Sequence, residues 1–174
     1  MAGRKQWHLC RTPQGEKPLV SAAFDAISAV CEEMIVVLGH EAEEVAKLLS
    51  GKDFHTVLSD PDAPMFESIR VGLDLALQLS GRTHVLLHPG DHPEVAESTL
   101  LALLSTAAAQ GAQAVLPEFR GRGGHPVLIP PPILRELVEA ECPDGLGQFW
   151  AEHPEHCARL PVNDASVLRD IDTF

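Results

Sequence analysis

Two periods of hydrophobicity alternate along most of the chain. Short apolar runs rich in Val, Ile and Leu, each stopped by glycine, proline or an acidic residue, predict buried strands at "EMIVVLG" (33–39), "FHTVLSD" (54–60), "THVLLHPGD" (83–91), "AQAVLPEF" (112–119) and "HPVLIPP" (125–131). Between them lie stretches with apolar residues at helical spacing: "HEAEEVAKLLSG" (40–51), "MFESIRVGLDLALQLSG" (65–81) and "STLLALLSTAAAQG" (98–111), each ending in a glycine suited to a C-cap. A further helix is predicted at "ILRELVEAE" (133–141), after three prolines, and the tail "CARLPVNDASVLRDIDTF" (157–174) reads as one or two short strands. Strands alternating with helices imply right-handed βαβ units. The predicted architecture is a single α/β domain over residues 1–174, a three-layer fold whose mostly parallel sheet carries helices on both faces. In such sheets ligands collect at the C-terminal ends of strands, which places Gly39, Asp60, Asp91 and the 120–126 loop on one crevice.

Composition narrows the function classes. The 174 residues are 45% hydrophobic and 22% charged, ordinary for a globular protein with its own core. No apolar run approaches the roughly 20 residues of a membrane span, and the N-terminus has no signal-peptide core, so neither a membrane nor secretion is expected. A formal net charge of −12 argues against nucleic acid as a partner. It also requires that an anionic substrate be held by local donors or by a cation. Cys10, Cys31, Cys142 and Cys157 are widely spaced, which reads as reduced thiols in a cytoplasmic protein.

The chemistry centres on "HPGDHP" (88–93), where a buried strand becomes a turn stiffened by Pro89, Gly90 and Pro93. Asp91 is aimed there with little entropy left to lose. A lone carboxylate so placed suits magnesium, which takes one or two carboxylates together with phosphate oxygens and water. The alternative is an Asp that caps the next helix or bonds its own turn.

Five segments in order, "IVVLGHEAEEV", "DAPMFESIRVGL", "PGDHP", "GRGGHP" and "VLRDIDT", resemble those of the molybdenum-cofactor nucleotidyltransferases, the MobA-like NTP transferases, closest to their cytidylyltransferase branch. The resemblance runs from about residue 15 to 173. It implies a Rossmann-like fold of the nucleotide-diphospho-sugar-transferase type. It also implies transfer of CMP, or GMP, from CTP or GTP to molybdopterin with release of pyrophosphate. The implied metal is Mg²⁺, held by Asp91 and by Asp172, with Asp170 as the alternative. Ser68 would lie near the nucleotide, and the Gly124-His125-Pro126 turn would face the acceptor. Such in-line transfer rests on positioning and charge neutralisation rather than on a nucleophilic side chain.

The family's usual opening is a strand followed by a glycine-rich phosphate loop with an Arg and a Lys. Here the chain opens "MAGRKQWHLC", so Ala2, Gly3 and Arg4 stand for the start of that loop and Lys5 for its catalytic lysine; aligned the other way, the lysine position falls on His8. About half a dozen loop residues and the first, central strand are then absent, which predicts a slot in the sheet. Unpaired backbone groups there would cost about 1–3 kcal/mol each. The expected function is therefore this nucleotidyl transfer, the alternative being a catalytically inactive relative that binds a pterin or a molybdoenzyme partner.

Other groupings are weighed against plainer readings. His88, Asp91 and His92 could suit a transition metal, but adjacent residues near a strand end point apart. "HPEHC" (153–157) offers His153, His156 and Cys157 but no fourth ligand, so it reads as a solvated loop. Arg120 and Arg122 could hold phosphate or simply line a turn, His40 reads as a helix-start residue, and Trp7 and Trp150 as packing residues.

Overall fold

A computed structural model of the protein describes residues 9–12 and 15–170. The hairpin β1 (Leu9–Thr12) and β2 (Gly15–Pro18) leads into α1 (Leu19–Ser28). Then β3 (Ile35–Leu38), α2 (Ala42–Leu48) and β4 (His55–Leu58) form a parallel βαβ unit, paired from Ile35 with His55 to Leu38 with Leu58. Next come α3 (Met65–Ser80), β5 (Val85–Leu87), α4 (Glu97–Gln110), β6 (Ala114–Phe119), β7 (Arg122–Gly123), β8 (Val127–Ile129), α5 (Pro131–Glu139), α6 (Leu146–Glu152) and β9 (Cys157–Pro161). A short 3₁₀ turn covers Ala165–Leu168. Among the described residues no helix is long and apolar enough to cross a membrane.

The α/β architecture matches the expectation, with one refinement in strand direction. β8 is antiparallel to both β5 and β6, β7 is antiparallel to β6, and β6 is parallel to β9, so β5, β6 and β9 run one way and β7 and β8 run back. The reversal is produced by a two-residue hairpin loop. Arg120 (φ 51°) and Gly121 (φ 79°) both adopt positive φ, the requirement of a type I′ turn. Because β9 fills one edge of β6 over Ala114–Glu118, β7 and β8 share the other edge. They form one returning strand interrupted by a bulge at Gly124-His125-Pro126. Gly124 N–H still donates to Pro117 O (2.8 Å), but His125 N–H leaves the ladder and donates to Val167 O (2.9 Å). Bulges of this kind re-aim side chains beside functional sites.

Side-chain alternation places helices on both faces. Val115 and Leu128 pack with Leu103 and Ala107 of α4. Their neighbours Ala114, Leu116, Val127 and Ile129 face the other way, into the main core with Phe66 and Leu73 of α3, Leu134 and Leu137 of α5, and Phe149 and Trp150 of α6. The β3–β4 pair has its own cluster, in which Leu38 packs with Val20, Val45 and Leu49. Among the described residues neither the free edge of β3 nor that of β5 has a ladder partner. Helix α3 joins the two sheets instead. Its Gly72 lies so close to β3 that a Cβ there would sit 2.7 Å from Val37 Cγ2, while Phe66, Ile69, Leu73 and Leu77 pack with Val85 and Leu87 of β5.

The C-terminal segment is clasped onto the loop after β5. Asp164 Oδ2 accepts from Ala96 N (2.9 Å) and Thr99 Oγ1 (2.8 Å), and Oδ1 accepts from Ser166 N (3.0 Å) and Ser166 Oγ (2.5 Å). Burial pushes this carboxyl up, but those four donors outweigh it and hold its pKa below the usual 3.8. Arg169 adds an ion pair to Glu94 at 3.1 Å.

Two measurements check these packing assignments. Gly124→Ala places a methyl 2.2 Å from Val167 O, a backbone atom that can yield only if the 3₁₀ turn moves; calorimetry is expected to show a loss of about 1–3 kcal/mol. Gly123→Ala meets Arg159 Nη1 at the same 2.2 Å, but a flexible guanidinium swings aside, and the change is expected to stay within about 0.5 kcal/mol. For Asp164, a native pKa below the unfolded one means its contribution is complete above about pH 4 and fades as pH falls through the native value. Asp164→Ala should therefore cost about 2 kcal/mol at pH 7 in urea unfolding, with the gap from wild type closing in acid.

Candidate active site

The C-terminal end of β5 and the bulge before β8 meet because Leu87 pairs with Val127, which sets residues 88–92 beside His125. The loop is closed by its own bonds: His88 Nε2 lies 2.7 Å from His92 O, and His92 N–H donates to Pro89 O at 3.3 Å. The Asp91 side chain is one-third exposed, and its near neighbour of opposite potential charge is His92, with Nε2 at 3.9 Å from Oδ1. It caps no helix, since α4 begins after Ala96. It accepts no hydrogen bond from the described residues, so its oxygens are open to a ligand.

Three imidazoles form an edge-to-face chain beside the loop that carries this carboxylate, with His92 in the middle. His88 and His92 have ring centroids 6.0 Å apart, and His92 and His125 are 5.5 Å apart. Burial pushes both His88 and His125 down to about 4; mutual repulsion adds to this, and bonds from the His92 and Leu87 carbonyls offset only part. At pH 7 these two rings are neutral hydrogen-bonding groups. Nδ1 of His88, His92 and His125 are all buried without a hydrogen-bond partner among the described residues. The sequence groups His88 with His92 and marks His125 apart from them, but does not show that the bulge brings His125 against the other two.

The second part of the crevice lies at the end of the β3–β4 pair. Ser68 Oγ, in the first turns of α3, is 2.8 Å from Ser59 Oγ, and Ser59 N–H continues the ladder to Leu38 O at 2.9 Å. Asp60 Oδ1 accepts from Asp62 N (2.9 Å), which commits it to its own turn. Arg120 stacks over Phe119 with its guanidinium carbon 5.1 Å from the ring centre, and Arg122 is exposed in β7. His40 is exposed just before α2, and Trp150 is buried in the core. Gly124 is buried, and its lack of a side chain is required by Val167 whatever lies in the crevice.

Ala2, Gly3, Arg4, Lys5, Trp7, His8 and Asp172 lie outside the described residues, and Asp170 is exposed at their end. The structure thus brings Asp91, Gly124 and His125 together and sets Ser68 at the corresponding end of the neighbouring sheet. Asp164 and Ser59 were not anticipated. Both lie in stretches with no motif, and their partners, Ala96, Thr99 and Ser68, are distant in sequence or on another element.

Known proteins resemble this chain in sequence and in fold. The family model of the MobA-like NTP transferase domain matches residues 5–157. The molybdenum cofactor cytidylyltransferase of Escherichia coli (strain K12) is 20% identical over 168 residues, covering 97% of this chain and 83% of that protein. A protein of Mycobacterium tuberculosis H37Rv, solved in complex with manganese, superposes with a TM-score of 0.74 at 23% identity, over 98% of this chain and 86% of that one. A nucleotidyl transferase from Methanothermobacter gives 0.71 at 26% identity, over 90% and 75%. The chain is a member of the MobA-like NTP transferase family.

Proposed function

We propose that this protein, a nucleotidyltransferase by family, transfers CMP from CTP, or GMP from GTP, to molybdopterin and releases pyrophosphate. The observation that carries the reading is the open Asp91 carboxylate at the C-terminal end of β5, free of any capping duty and backed by neutral histidines. Its partly exposed carboxylate oxygens suit a hard divalent cation such as Mg²⁺, and the structural relative that holds manganese supports divalent-metal use. Such a cation, when bound, neutralises phosphate charge that a chain of net charge −12 otherwise repels.

In this reading Asp91 and Asp172 hold the metal. The Arg169–Glu94 pair and the Asp164 clasp tether the chain that leads to Asp172 onto the Asp91 loop, which supports their cooperation. Ala2, Gly3, Arg4 and Lys5 grip the phosphates, with Lys5 stabilising charge that develops on the α-phosphate. Ser68 bonds the nucleotide from the β3–β4 end. Gly124 and His125 line the acceptor side, where unpartnered imidazole nitrogens can bond the amide and amine edge of a pterin. Burial keeps His125 neutral, so it positions the acceptor without adding charge. The cytoplasm is the fitting compartment for four free thiols.

The test is pyrophosphate release from CTP or GTP with Mg²⁺ and molybdopterin. Wild type should turn over, and Asp91→Asn should lose about 10²–10³-fold in kcat while remaining folded. His125→Ala should raise KM for the pterin more than it lowers kcat. A wild-type protein that binds neither nucleotide by calorimetry overturns the transferase reading. Pterin binding without turnover would instead favour the inactive, pterin-binding alternative.

A further inference from the structure

Away from this crevice, the turn between α6 and β9 gathers ligand-bearing side chains. His153 ends α6, Pro154–His156 form a 3₁₀ turn, and β9 starts at Cys157. One ligand atom from each of His153, Glu155 and His156 lies within 4.8 Å of the other two, with His153 Nδ1 at 3.7 Å from Glu155 Oε1. The two imidazoles stack, centroids 5.3 Å apart and planes 17° from parallel. Phe149 stands behind both, 4.8 Å from the His153 ring and 6.1 Å from that of His156.

The backbone holding them is fixed. His153 N–H donates to Phe149 O (2.9 Å), His156 N–H donates to His153 O (3.0 Å), and Gln113 Nε2 donates to Glu155 O (2.7 Å) from the start of β6. Behind His156, Glu136 of α5 puts Oε2 2.8 Å from Nε2. A carboxylate at that distance holds the proton on Nε2 and leaves the lone pair on Nδ1. That carboxylate-histidine pairing is the usual support of a metal-bound imidazole. Ligands around a tetrahedral zinc lie about 3.3 Å apart, given bonds near 2.0–2.1 Å. Rotation of half-exposed side chains closes the remaining gap, and the apolar Phe149 wall leaves the solvent side for the ion.

We propose that His153, Glu155 and His156 form a site for a borderline divalent cation of the zinc class, with Glu136 orienting His156 and water completing the coordination. Two imidazoles and one carboxylate discriminate against magnesium, which prefers oxygen alone. The site joins the end of α6 to the start of β9 and, through Glu136, to α5. It therefore binds a metal without any part in nucleotide chemistry.

The full chain, stripped with a chelator, is titrated with Zn²⁺ by calorimetry and monitored for thermal stability. One equivalent is expected, with a rise in Tm. His153→Gln/His156→Gln should lose the binding, Glu136→Gln should weaken it about 10–100-fold, and Asp91→Asn should leave it unchanged. No Zn²⁺ binding by wild type overturns the proposal, as does unchanged binding by the double variant. Loss of binding in Asp91→Asn would likewise overturn it, by placing the ion in the crevice. Should the double variant not fold, Glu155→Gln is read in its place: weakened binding supports the site, unaltered binding sinks it. Failure of nucleotidyl transfer touches none of these readouts.

Discussion

Helix α3 lies across two sheets that share no hydrogen-bonded ladder among the described residues, and that contact relates the Ser59–Ser68 group to the sheet that carries Asp91. On one side Gly72 lets the helix backbone settle against Val37 of β3; on the other Phe66, Ile69, Leu73 and Leu77 fill the space over β5 and β8. Phe66 and Leu73 are almost wholly buried, and each such side chain removed from water is worth roughly 1.5–3 kcal/mol. Among the described residues side-chain packing sets the relation between the β3–β4 end, with Ser59 and Ser68, and the β5 end, with Asp91. Packing lacks the fixed register of a ladder, so the crevice depends on the shape of one helical face.

The Asp91 half of the crevice is defined more tightly. A backbone ladder fixes Leu87 against Val127, a bulge turns His125 out of that ladder, and Val167 takes the amide the bulge releases. Val167 is held in turn by the turn that Asp164 organises, and Asp164 also grips the first residues around α4. Loop, bulge and tail thus form a closed circuit of hydrogen bonds around one free carboxylate. Each member satisfies a backbone or carboxylate group that burial would otherwise leave costly.

Much of this was legible in the sequence where a local pattern carried it. The apolar spacing from Met65 to Ser80 gives α3 to within a residue, and the runs at 35–38, 55–58 and 114–119 show as strands because each is short, rich in apolar or β-branched residues and bounded by turn residues. Asp91 stood out since prolines and a glycine left it few conformations. The reversed direction of β8 was hidden, because periodicity is blind to direction and Arg120 gives no sign of adopting the positive φ that Gly121 shares. The four-residue β2 ahead of α1, GEKP, carries no apolar run that would mark it as a strand, and the seven-residue α6 is too short to show a period. Helix α4 starts one residue before the run at 98–111, with Ala96 at its N-cap, and Thr99 in its first turn gives its hydroxyl to Asp164, a partner 65 residues away. Long-range polar bonds of that kind have no signature in one sequence.

The electrostatics of the two histidine groups separate their roles. Around Asp91 the rings are buried and two are driven to pKa values near 4, so protons leave them well before neutrality and they present fixed, uncharged dipoles to whatever enters. At the α6–β9 turn the rings are half exposed and lie against Glu136 and Glu155, where a cation is drawn by carboxylates on both sides. The same residue type thus serves, within one acidic chain, as neutral lining in the first place and as a ligand set in the second. Burial decides between them: desolvation removes the charge at the crevice and leaves Asp91 to define its field, while solvent access at the turn keeps the imidazole lone pairs within reach of an ion.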